Sequence, residues 1–350
     1  MKPRVALTML GGLGDTLMLT MPARRLKELN PNIEIVAYGR KDSVCVLNSN
    51  PLFSDIRIKK DWTDFPIHNS EFDVVMDFRY SVKTFVLKEN TIKFDKPIEK
   101  ILKLQKKYEL DLWVNDIVNY RMVNWQRFLH SSDLRKRGMN WYEIISYLSG
   151  LKFNTSYLSV ELQTVNDLPD EFVAVSIPCS LSRGYVKNYP SIYYDTIFKA
   201  MPSIKFVLLG EIPVKAYKYS NVTHLQGKLS INQTAFVLKK AKLLLSEEGG
   251  LVHIAKAVGT KSIVMFGPTQ KWFFEYRDNI NLKEETDCEY CHNQIPFWNI
   301  KCVKFNSVYC KNLLKLTPEI VINALKKELY DSDTAVNSCD SLIITHHATQ

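Results

Sequence analysis

The chain has 350 residues, too many for one ordinary hydrophobic core and suited to two domains of roughly 150–180 residues each. Hydrophobic residues make up 46% and charged residues 24%, with only thirteen Gly and fourteen Pro, which excludes a mainly disordered, collagen-like or low-complexity chain. The net charge is +9, of which +6 falls in residues 1–165 (25 basic against 19 acidic) and +3 in the remainder (21 against 18), so an anionic macromolecule or membrane surface would meet the first half.

Residues 5–10 form a continuous apolar run, as expected of a parallel strand covered on both faces. The segment Gly11-Gly12-Leu13-Gly14-Asp15 turns the chain into a helix predicted over 16–29 and stopped by Pro31. A strand at 33–38, a short helix at 42–48 and strands at 56–59 and 72–78 continue the alternation, which predicts a doubly wound α/β domain. Residues 95–150 change character. A basic amphipathic stretch at 96–107 is followed by Trp113, Tyr120, Trp125, Phe128, Trp141 and Tyr142, read either as helices whose aromatics complete the core or as an acceptor- or membrane-facing subdomain.

A second series starts at 172: strands at 172–177, 205–209, 243–246 and 262–266, helices at 192–201, 232–239 and 251–258. A final helix at 317–329 opens on Thr317 as N-cap with Pro318 at its first position. The pattern gives two Rossmann-like domains facing a cleft, 1–165 and 166–330, with a linker near 163–171 and a loose tail at 331–350. No run of 18 apolar residues exists. The N-terminus breaks into glycines and Asp15 without a small-residue cleavage site, so it reads as a buried strand and the protein is expected to be cytoplasmic.

Two glycine turns carry the candidate chemistry. Gly11–Asp15 follows a buried strand and opens a helix, so its backbone suits close approach of a ligand. It departs from the dinucleotide fingerprint because Asp15 takes the place of the third glycine. Asp15 is then a helix cap or a carboxylate aimed into the cleft as a general base. The second turn lies in residues 246–269, SEEGGLVHIAKAVGTKSIVMFGPT. There Glu247 and Glu248 end a strand, Gly249 and Gly250 turn, and a helix begins with His253 one turn in. His253 is a phosphate-side residue or a satisfied core histidine. Gly267-Pro268-Thr269 ends the next strand on the same sheet edge, where open α/β sheets bind ligands.

These residues resemble glycosyltransferase family 9, the ADP-heptose:lipopolysaccharide heptosyltransferases: Gly-x-x-Gly-Asp with its helix, the strand FDVVMD, and above all EGGLVHIAKAVGTKSIVMFGPT. Lys187-Asn188-Tyr189-Pro190 is similar to the family's Lys-x-Trp-Pro element, and Gly210-Glu211 follows the second strand of the donor lobe. The resemblance spans roughly residues 3–325 and implies a GT-B architecture with inverting sugar transfer from a nucleotide donor, ADP-heptose, to a lipopolysaccharide core or related glycan acceptor. It implies Asp15 as the base and Lys187 as the cation neutralising the leaving diphosphate. Glu211 would contact the nucleoside, and Glu248, Gly249, Gly250, His253, Gly267 and Thr269 would line the nucleotide-sugar site. It further implies no catalytic metal, and contact with the cytoplasmic face of the inner membrane. The chain departs from the family in Glu248-Gly249-Gly250, where Asp-Ser/Thr-Gly is usual, and in Tyr189 for Trp.

Seven cysteines include the cluster Cys288, Cys291, Cys302 and Cys310. In a reducing compartment four thiolates suit a structural zinc or iron, with His292 as a substitute ligand, but only the first pair has metal-site spacing and plain thiols are the other reading. Some members of the resembling family bind iron through cysteines in this region. A sugar-nucleotide epimerase of similar architecture and a non-catalytic nucleotide-sugar sensor are the competing functions. Nucleic-acid binding is not expected, because the basic residues are spread along the chain without a recognised module.

Overall fold

The computed structural model describes residues 2–59, 70–78, 82–89, 91–117, 137–177, 185–212, 216–288, 291–292, 300–302 and 304–339. The first lobe is a five-stranded sheet in the order β3-β2-β1-β4-β5, built from β1 (Arg4–Thr8), β2 (Glu34–Arg40), β3 (Asp55–Lys59), β4 (Val74–Asp77) and β5 (Lys83–Val86). β1 lies between β2 and β4 with all three parallel. That burial on both faces explains its unbroken run Val5, Ala6, Leu7, each fully buried. β5 runs antiparallel to β4 and is an edge strand that the sequence pattern did not announce.

The helix expected over 16–29 is two helices, α1 (Leu13–Leu17) and α2 (Thr20–Leu29). Pro22 is the cause. It has no N–H to give the Met18 carbonyl, and the Met21 amide takes that oxygen at 3.1 Å instead, tightening the chain at the junction. The short helix expected at 42–48 is a 3-10 turn, Val44–Leu47. Further helices of this lobe are α3 (Ile98–Ile117) and α4 (Trp141–Ser149). Asn140 starts α4 through a reciprocal capping box: its side chain accepts from the Glu143 amide at 3.1 Å and its amide donates to Glu143 at 2.9 Å. Trp141 and Tyr142 are buried. The side chains of Trp113, Tyr120, Trp125 and Phe128 lie outside the described residues.

The second lobe is a six-stranded parallel sheet in the order β11-β10-β9-β6-β7-β8. It comprises β6 (Val173–Ser176), β7 (Phe206–Leu209), β8 (Val222–His224), β9 (Leu243–Glu247), β10 (Ser262–Met265) and β11 (Ile280–Leu282), with α5 (Ser191–Ala200), α6 (Ile231–Lys240), α7 (Gly250–Val258), α8 (Lys271–Phe274), α9 (Lys311–Lys315) and α10 (Pro318–Cys339). The short edge strands β8 and β11 were not foreseen, being only three residues each. α10 opens on Pro318 as expected but continues to Cys339, into the stretch expected as a loose tail; residues 340–350 lie outside the described residues. Among the described residues, no helix is long and apolar enough to cross a membrane.

The two lobes share a core. Leu17, Trp141 and Tyr142 of the first lobe belong to one buried cluster with Val252, Phe273, Phe274 and Tyr276 of the second. This packing brings the carboxyl end of β1 and its glycine turn against the carboxyl end of β9.

Candidate active site

Gly12 holds an extended conformation ahead of α1, and its amide donates to Asp15 Oδ2 at 2.7 Å. One carboxylate oxygen of Asp15 therefore caps the turn. The second has no hydrogen-bond partner among the described residues, and the side chain is partly exposed. A Cβ on Gly11 would overlap the Asp15 carboxylate, which is why the turn needs glycine there.

The facing turn follows β9. Glu248 pairs with Lys187 at 2.6 Å, with side-chain exposures of 10% and 12%. Burial by itself would raise the Glu248 carboxyl. The Lys187 ammonium, assisted by His292 and His253, overrides burial and holds it at about 2. Gly249 opens α7 without any side-chain cap; the Val252 amide is taken by the Gly249 carbonyl at 3.1 Å, which leaves the Gly250 and Leu251 amides of the first turn to an anion.

The two turns touch. A Cβ on Gly250 would stand 3.2 Å from Leu13 Cβ and 3.6 Å from the Gly14 amide nitrogen, and a Cβ on Gly14 would overlap the His253 ring. His253 is buried, with Nδ1 2.8 Å from the Tyr276 hydroxyl and 3.3 Å from that of Tyr142. Tyr142 donates to the Phe274 carbonyl at 3.2 Å, so the His253 ring is fixed in place by two hydroxyls at the seam between the lobes. Tyr142 and Tyr276 stack at 4.5 Å. Asp15, Lys187, Glu248, Gly250 and His253 thus converge on one seam between the lobes.

The other expected residues are placed less directly. Glu211 is exposed and follows Gly210, whose φ of +147° suits glycine. Gly267 faces Leu313, to which a Cβ would approach within 2.8 Å, so it serves the packing of α9. Thr269 is 1% exposed, and its hydroxyl has no partner among the described residues. Three residues beyond those expected border the seam: Tyr142, Tyr276 and His292, which the sequence suggested only as a metal ligand.

The cysteines sit beside this region, with the Cys291 and His292 amides both donating to the Pro268 carbonyl at 3.0 Å. Burial, and then mutual repulsion, pushes the Cys291 thiol up to about 12; burial likewise lifts Cys310 to about 11 and raises Cys288. Among the described residues, no group of three or more His, Cys, Asp or Glu side chains is arranged to hold a metal ion. As placed, the four thiols do not converge on one point, although they stand close enough to repel one another.

Residues 154–294 match the model of glycosyltransferase family 9 (heptosyltransferase). Over that span the chain is similar to glycosyltransferase family 9. The matched span includes Lys187, Glu211, Glu248, Gly249, Gly250, His253, Gly267 and Thr269, while Asp15, Cys302 and Cys310 lie outside it. Glycosyl transfer is the activity class of the matched family. Over 344 residues the chain is 22% identical to lipopolysaccharide heptosyltransferase 1 of Campylobacter coli, covering 91% of this chain and 98% of the relative. Solved structures share the fold: a family 9 glycosyl transferase from Veillonella parvula (TM-score 0.57, 14% identity, 94% of this chain and 98% of the other), and E. coli ADP-heptose lipopolysaccharide heptosyltransferase II (TM-score 0.56, 13% identity, 95% and 100%). The iron-containing dodecameric heptosyltransferase TibC is also similar (TM-score 0.57, 11% identity, 95% and 78%). The matched span therefore sits within a two-lobed GT-B fold.

Proposed function

We propose that this chain is an inverting heptosyltransferase that moves a heptose from ADP-heptose onto a lipopolysaccharide core or related glycan acceptor at the cytoplasmic face of the inner membrane. The observation that carries the reading is the contact between the Gly11–Asp15 turn and the Gly249–Gly250 turn, which sets a carboxylate of one lobe opposite an ammonium and free helix amides of the other. The names of the similar proteins supply the sugar: one is a lipopolysaccharide heptosyltransferase, and E. coli WaaC has been solved with ADP-2-deoxy-2-fluoro heptose.

In this reading the diphosphate takes Lys187 from Glu248 and rests on the first-turn amides of α7, with His253 alongside. Asp15 accepts the proton of the acceptor hydroxyl while its oxygen attacks the anomeric carbon from the face opposite the leaving group. The bond from that carbon to the diphosphate oxygen breaks, and the diphosphate departs with the electron pair. Lys187 and the amides meet the charge that develops on the leaving oxygen, where fixed donors do most for the rate.

A donor screen by thermal protection tests this. ADP-heptose at about 100 times its Kd should add roughly 2.7 kcal/mol of stability, followed by transfer to a heptose-free core acceptor with inversion read by NMR. Protection by UDP-sugars alone, or binding without transfer to any glycan, would overturn it.

A further inference from the structure

The residue before Glu248 is also an acid, and the structure uses it differently. Glu247 is the last residue of β9, only 3% exposed. Its Oε1 accepts a hydrogen bond from the Tyr189 amide at 2.7 Å, and the buried Tyr194 of α5 stands beside the same carboxyl without a hydrogen bond to it. Tyr189 lies two residues past Lys187, in a stretch between the 3-10 turn Tyr185–Lys187 and α5. That stretch belongs to no sheet, so its amide has no ladder partner and Glu247 supplies one. The Tyr189 ring is pinned as well: its hydroxyl donates to the Leu316 carbonyl at 2.6 Å, and it meets Tyr193 and Tyr194 edge-on.

We propose that Glu247 is a positioning residue: its buried carboxyl tethers the Tyr189 amide to the end of β9 and thereby holds Lys187 over the Gly249–Gly250 turn. Two adjacent acids at one strand end then divide the work. Glu248 engages the Lys187 side chain directly, and Glu247 fixes the backbone from which that side chain reaches.

The environments of the two acids are opposite. Burial pushes Glu247 up to about 8, against the lowering effect of the Tyr189 amide and its own amide. The titratable groups facing it are Tyr189 from the Lys187 segment, Tyr194 from α5 and Tyr217 ahead of β8, all raised by burial and uncharged at neutral pH. Lys187 is engaged by Glu248. The tether is therefore a neutral carboxyl near pH 7, and ionisation favours opening the Lys187 segment to water.

The sign of the linkage follows. A carboxyl neutral in the folded state and ionised in the unfolded one contributes stability fully below about 4.5 and loses it progressively as pH rises to about 8.

The inference rests on the heptosyltransferase reading for its donor, and the test separates the two. Melting temperatures of the donor-free wild type, Glu247→Gln and Glu247→Leu are measured from pH 5 to pH 9. Binding of inorganic pyrophosphate and of ADP-heptose is measured by calorimetry, and kcat and KM follow pH where turnover is found. Glu247→Gln, which can still accept the Tyr189 amide, should hold its melting temperature between pH 5 and 8 where the wild type falls. It should bind both probes as the wild type does at pH 7, and should carry turnover to higher pH. Glu247→Leu should bind pyrophosphate on the order of tenfold more weakly, the loss of about one hydrogen bond's positioning. A Glu247→Gln protein with the wild-type pH slope would overturn the proposal whether or not the Leu variant folds, as would wild-type pyrophosphate affinity in a folded Leu variant. If pyrophosphate binds but ADP-heptose does not, the donor assignment fails and the tether is still decided by the pyrophosphate and stability arms.

Discussion

Gly14 of the first lobe and His253 of the second are packed so closely that any side chain at Gly14 would overlap the imidazole, with 2.8 Å to Nε2. The ring cannot simply turn away, because Tyr276 and Tyr142 hold Nδ1. Gly14→Ala should therefore cost about 1–3 kcal/mol through overpacking and weaken donor binding with it. Gly249 is the internal contrast. A Cβ there would meet only the Glu247 carbonyl at 3.9 Å, so Gly249→Ser should leave stability within about 0.5 kcal/mol and offer the diphosphate a hydroxyl. Urea midpoints of the two variants decide this, and equal midpoints would show that the lobes part freely at the seam.

Lys187 and Glu248 form a nearly buried pair, so each holds the other's charge. Removing one leaves the other uncompensated, and Lys187→Ala or Glu248→Gln should each cost about 3 kcal/mol, with the double substitution recovering part of the loss. The Glu248 carboxyl is lowered from 4.5 to about 2. Its contribution is present above pH 4.5 and drains away as the pH falls towards 2; Glu248→Gln should abolish that acid limb. Lys187→Ala should also weaken ADP-heptose by about 10- to 150-fold, the range for a charged hydrogen bond, while sparing adenosine. Unchanged ADP-heptose affinity would displace the diphosphate from this turn.

Burial sets the behaviour of the cysteines. With Cys291 near 12 and Cys310 near 11, neither carries an appreciable thiolate at pH 8, so both should react slowly with a disulfide reagent until the protein is unfolded. Cys291→Ser should then change stability by less than about 1.5 kcal/mol, as a small buried swap. Zinc or iron near one per chain in protein purified without added metal, lost in Cys291→Ser, would show instead that the segment closes around an ion.

The architecture was legible because buried parallel strands are written as apolar runs: 5–10, 172–177, 243–246 and 262–266 each mark a central strand. Edge strands β5, β8 and β11 carry no such run, since they are short and half covered. The helix break before Thr20 was written in Pro22, whose missing N–H the apolar spacing of 16–29 concealed. The glycine turns and Lys187 could be proposed from the sequence because backbone approach and fixed charge need those residue types, and the structure brings them to one seam. The partners that hold them could not be proposed in that way. The Tyr142–Tyr276 stack joins residues 134 positions apart, and nothing local marks Glu247 as inward and Glu248 as outward except the alternation of a strand whose end the sequence leaves uncertain by a residue.

Asp15 carries the last expectation. Its Oδ2 accepts the Gly12 amide at 2.7 Å, so capping is part of its role, yet the other oxygen is unengaged among the described residues and the turn abuts the donor-side glycines. Asp15→Asn keeps an oxygen for the Gly12 amide and most of the cap, but removes the group that can take a proton. A general base is typically worth about 10²- to 10⁴-fold, so turnover should fall by that much with donor affinity and melting temperature nearly unchanged. Retention of half the wild-type rate would leave Asp15 as a cap alone and move the search to Asp77. That residue ends β4, is 6% exposed and accepts a hydrogen bond from Thr8 at 2.9 Å on the same sheet edge.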